Sequence, residues 1–68
     1  MKIGNKIRQM RIKSGLTQEQ LALKLGISGQ SVSKWENEIT MPDITLLPDI
    51  AEAFGISIDE LFDLTVEQ

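Results

Sequence analysis

Two short stretches with helical spacing meet at Gly26, and this junction constrains the fold more than any other feature of the chain. Before it, Leu21 and Leu25 lie four residues apart on one face, with Ala22 small enough to let another helix approach closely. After it, Val32 and Trp35 lie three apart and turn inward. Glycine enters the left-handed backbone region without a Cβ penalty, so the chain can reverse sharply between the two helices. Ile27 fills the corner, and Ser28 offers the side-chain oxygen that caps the following helix. Thr17-Gln18-Glu19-Gln20 has the T-x-x-Q form of a capping box, which satisfies two otherwise unpaired amides at the start of the first of the pair.

The flanking chain supplies three more helices. Ile3, Ile7 and Met10 share one face of a helix over residues 3–14, which Gly15 ends and Leu16 follows as a core anchor. Beyond Asn37 the Met41-Pro42 step is extended, because a residue before proline is pushed out of the helical region. A fourth helix carries Leu46 or Leu47, Ile50, Ala51 and Phe54 inward and stops at Gly55. With Asp43 as cap, Pro48 would fall one position beyond the free amides of the first turn. Thr45 is preferred, with proline then at the third helical position and residues 43–46 forming a turn that resembles helix. Ser57-Ile58-Asp59-Glu60 is a second capping box, opening a short fifth helix whose Leu61 and Phe62 close the core. The expectation is one all-α, compact five-helix domain over residues 1–64, with residues 65–68 as a tail.

Composition narrows what such a domain can do. The 68 residues include no cysteine and no histidine, which removes disulfides, thiolate nucleophiles, imidazole bases and ordinary zinc sites. A chain this short buries roughly 60% of the surface its unfolded form exposes, leaving no room for a deep cleft. No enzyme, no cofactor and no metal is expected. No apolar run approaches the ~20 residues of a membrane span, and the first residues lack the apolar segment of a signal peptide. The expected compartment is the cytoplasm, with no membrane partner.

The net charge of −3 argues at first against a polyanionic partner. Its distribution reverses that. Residues 1–37 hold seven basic and two acidic side chains, whereas residues 38–68 hold eight acidic and no basic ones. Such a layout would turn the N-terminal half toward a polyanion; solubility of exposed helix faces accounts for the acidic half equally well. Gly29, Gln30, Ser31, Ser33 and Lys34 stay on the outward faces of the third helix. They are short and polar, suited to hydrogen bonds with base edges and phosphates.

Leu21, Ala22, Leu25, Gly26, Ile27, Val32 and Trp35 resemble, at every spacing, the helix-turn-helix of the phage lambda repressor and Cro family, also called the XRE family. Residues 7–11, 16–18, 35–37, 50–51 and 57–61 agree as well, so the resemblance covers nearly the whole chain. It implies a lambda repressor-like fold and a sequence-specific DNA-binding transcriptional regulator of repressor type. Its third helix would lie in the major groove, and its double-stranded DNA would be bound as a homodimer on inverted half-sites.

Carried over residue by residue, the resemblance implies that Gln18 binds a phosphate at a helix N-terminus. Gln30, Ser31 and Lys34 reach bases or phosphates, with Ser28 and Ser33 beside them, and Asn37 and Thr40 run along the sugar-phosphate backbone. Gln30 and Lys34 are the expected base readers, since glutamine pairs with adenine and lysine with guanine. Arg11 matches a position that pairs with a carboxylate at the end of the third helix, here Glu36. Trp35 belongs to the core. Two departures stand out: Gly29 replaces a base-contacting side chain, and Glu38-Ile39 replaces glycine and a basic residue, adding repulsion where a phosphate would lie.

Ile39, Ile58 and Phe62 are the candidate dimer surface; Ile12 and Leu23 also fall outside the inward faces. A competing expectation is a protein-interaction module, an antitoxin or co-regulator that keeps the helix-turn-helix as scaffold and binds through its acidic half. Thr65-Val66-Glu67-Gln68 repeats the T-x-x-Q form, which fits either a frayed end or the cut start of a helix leading to a C-terminal effector domain.

Overall fold

The structure, a computed structural model, describes residues 3–65 and the side chains of residues 3–62. Five helices follow one another: α1 (Ile3–Lys13), α2 (Gln18–Leu25), α3 (Gly29–Glu36), α4 (Leu47–Phe54) and α5 (Ile58–Thr65). The described residues form no strand. The Val66-Glu67-Gln68 end of the repeated capping pattern lies outside the described residues.

Local signals act as their chemistry demands. At the start of α2, Thr17 Oγ1 accepts the Gln20 N–H at 3.0 Å, while Gln20 Oε1 accepts the Thr17 N–H at 2.8 Å. Ser57 and Glu60 repeat this reciprocal pair before α5, at 3.1 and 3.2 Å. Gly26 sits at φ 71° and closes α2, its N–H reaching back to Ala22 and Leu23 carbonyls. Replacing Thr17 by alanine removes the acceptor of the Gln20 N–H and leaves the bond from the Thr17 N–H to Gln20 Oε1 in place. The expected cost is about 1 kcal/mol, read in urea as a lower midpoint with an unchanged slope.

The α4 boundary differs from the expectation that Thr45 caps it. A single 3-10 turn, Ile44–Leu46, precedes α4 and is capped by Asp43. Asp43 Oδ1 takes both the Thr45 N–H at 2.9 Å and the Thr45 hydroxyl at 2.8 Å, so that hydroxyl has no part in capping α4. These bonds hold the Asp43 carboxyl below its ordinary value, the backbone one contributing most. Pro48 falls at the second helical position rather than the third, among amides with no partner inside the helix, and its missing N–H is harmless there.

One core lies where the helices converge. Ile3 and Ile7 of α1, Leu21 and Ala22 of α2, and Val32 and Trp35 of α3 meet Leu47, Ile50 and Ala51 of α4 and Leu61 of α5. Leu16, Leu25, Ile27, Leu46, Phe54 and Phe62 are half-buried against them. Helix α3 packs on both α1 and α2, and α4 joins α2 to α5. Among the described residues, no helix is long and apolar enough to cross a membrane.

Candidate nucleic-acid interface

Helix α3 is held at its C-terminal end by charge. Arg11 reaches from α1 to Glu36, with Nε at 2.7 Å from Oε2 and Nη2 at 3.0 Å from Oε1. Its remaining amino group donates to the Leu16 carbonyl at 2.8 Å. The Arg11 and Glu36 side chains are only 13% and 3% exposed, so this pair is part-buried and largely shielded from water. Hydrogen bonding to Glu36 raises the Arg11 pKa, opposed by burial and reinforced by the carboxylate's charge. Gln18, the first residue of α2, donates Nε2 to Glu36 Oε1 at 3.1 Å. One carboxylate thus gathers α1, α2 and α3, and it fixes the side chain expected to meet a phosphate.

The other expected contact residues divide into three groups. Ser28 is the α3 cap: its Oγ accepts the Ser31 N–H at 3.3 Å and lies 3.2 Å from the Ser31 hydroxyl. Asn37 donates Nδ2 to the Ser33 carbonyl at 2.9 Å and to the Ser33 hydroxyl at 3.4 Å. Both pairs therefore also serve the ends of α3. Gln30 and Lys34 are exposed, four residues apart on one face, and their side chains have no hydrogen-bond partner among the described residues. Thr40, exposed just past the helix, donates its backbone N–H to the Lys34 carbonyl at 3.4 Å.

Glu38 explains its own departure from glycine. It sits at φ 60°, in the left-handed position that closes α3: the Glu38 N–H meets the Trp35 carbonyl and the Ile39 N–H the Lys34 carbonyl. A non-glycine residue there costs about 1 to 2 kcal/mol. The compensation comes from α1, whose Asn5 N–H donates to Glu38 Oε1 at 2.9 Å. The carboxylate caps the positive end of that helix.

Two positions escaped sequence reasoning. Gly4 lies against the Trp35 carbonyl so closely that a Cβ would collide with it; a glycine inside a first helical turn was the available signal. Glu19, exposed on α2, places its carboxylate beside Gly29, where a Cβ would lie 2.6 Å from Oε1 and 3.0 Å from Cδ. No spacing rule links those two residues.

The sequence pattern of the Helix-turn-helix family matches residues 7–61. This chain belongs to the XRE-type helix-turn-helix family. Among XRE-type relatives, it is 41% identical over 61 residues to the HTH-type transcriptional activator BcrR of Enterococcus faecalis. That match takes in 90% of this chain and 30% of BcrR, so the chain spans under a third of that relative's length. The P22 c2 repressor, solved with a synthetic operator, matches at TM-score 0.78 and 32% identity over 87% of this chain and 89% of its own. SinR, a master regulator for biofilm formation solved with DNA, matches at TM-score 0.79 and 29% identity over 90% and 98%. The fold is thus lambda repressor-like.

Proposed function

We propose that this XRE-type chain is a sequence-specific DNA-binding transcriptional regulator of repressor type, acting in the cytoplasm with α3 in the major groove. The observation that carries the proposal is the division of α3. Trp35 and Glu36 mount it on the fold, while Gln30 and Lys34 project with their polar ends unengaged. Gln30 can pair with adenine, and Lys34 with guanine O6 and N7. Gln18 and the α2 N-terminus meet a phosphate, with Ser28, Ser31, Ser33, Asn37 and Thr40 around the rim of the contact. Two copies bind inverted half-sites, ~34 Å apart for one helical turn, a spacing close to the 30 Å length of one molecule. Ile39 and Ile58 are exposed and available for that pairing, and Phe62 is half-buried against the core.

Selecting bound sequences from a random DNA pool tests this. Gln30→Ala is expected to relax preference at one base pair per half-site by ~1 to 3 kcal/mol while leaving the others intact. Equal loss on every sequence would remove Gln30 as a reader. The acidic second half favours the interaction-module reading. Titration over salt separates the two, because phosphate contacts make affinity fall steeply as salt rises. A flat response would favour the module.

A further inference from the structure

The N-terminal residues of a recognition helix meet base edges, yet α3 opens on Gly29, which brings no side chain. The space is filled from α2. The Glu19 carboxylate stands where a side chain on Gly29 would begin, 2.6 Å from the Cβ position. It is exposed, and neither of its oxygens has a hydrogen-bond partner among the described residues.

An ionised carboxylate only accepts hydrogen bonds. Guanine presents two acceptors in the major groove, thymine an acceptor and a methyl group, and adenine a donor flanked by the N7 acceptor. Cytosine presents its N4 amino group as a donor. We propose that Glu19 is a base-reading residue that selects cytosine in each half-site, taking over from α2 the contact that Gly29 cannot make. This rests on the DNA-binding reading above.

The experiment is selection from a random duplex pool by the wild-type chain, Glu19→Gln and Glu19→Ala, with relative affinities measured on the selected site and its single-base variants. The wild type is expected to enrich cytosine at one fixed position of each half-site by about five-fold or more. Glu19→Gln is expected to move that position toward adenine, and Glu19→Ala to lose the preference there, all other positions being unchanged. A cytosine preference that survives in Glu19→Ala, with only a uniform rise in affinity from the lost negative charge, overturns the proposal. So does a wild-type site without cytosine at such a position. A wild-type chain that enriches no sequence would instead overturn the DNA-reading function itself.

Discussion

Arg11→Met is expected to lower stability by about 3 to 5 kcal/mol, because it strands the Glu36 carboxylate inside the fold. That is a large part of the ~5 to 15 kcal/mol that holds a native domain together. An exposed pair would be worth at most ~1 kcal/mol. Glu36, 3% exposed, has lost its hydration and depends on Arg11 and Gln18 for replacement donors. The double variant Arg11→Met with Glu36→Leu removes both charges and is expected to recover most of the loss, since a packed apolar pair can match a buried ionic one. Urea unfolding of the wild type, both single variants and the double variant gives the coupling between the two sites. A single-variant loss near 1 kcal/mol with no recovery in the double variant would show the pair behaving as a surface contact.

Gly4→Ala reverses the usual sign of a glycine-to-alanine change in a helix. Propensity alone favours alanine by roughly 0.5 to 1 kcal/mol. Here the added Cβ would run into the Trp35 carbonyl and lie 2.6 Å from Glu38 Oε1. The side chain can swing away, but the carbonyl belongs to the body of α3. Relief requires α1 and α3 to separate, which disturbs Ile3 and Ile7 in the core and the Asn5–Glu38 bond. The expected cost is about 3 kcal/mol, the upper end for overpacking. In a domain of this size that lowers the melting temperature on the order of 10 to 20 °C. A thermal melt showing an unchanged or higher midpoint would mean the helices have room to spare.

Much of the fold was legible because it is encoded locally. Thr17 with Gln20 and Ser57 with Glu60 announce helix starts across three residues, and apolar spacing identified Ile7, Leu21, Val32, Ile50 and Leu61 as core. Pro48 was harder: its place depends on whether the preceding turn winds as 3-10, which Asp43 settles by taking both polar groups of Thr45. The Arg11–Glu36 pair was legible only through family resemblance, since no local pattern connects residues 25 apart. The Asn5–Glu38 bond spans 33 residues and had no such precedent, because the family commonly places glycine at position 38. In the candidate site, residue types and spacing pointed to α3. They could not reveal that Ser28 and Ser31 are engaged with each other, or that Gln18 is tied to Glu36. Those details depend on rotamers chosen in three dimensions.

The mounting of α3 leaves this domain open to changes of target. Its attachment to the rest of the molecule runs through Val32, Trp35 and Glu36, and none of those contacts passes through Gln30 or Lys34. Surface substitutions away from caps and buried groups usually alter stability by no more than ~0.5 kcal/mol. A lineage carrying this domain can therefore exchange residues 30 and 34 at little cost to the fold; if α3 reads DNA as proposed, its preferred sequence could shift one substitution at a time without passing through an unfolded ancestor.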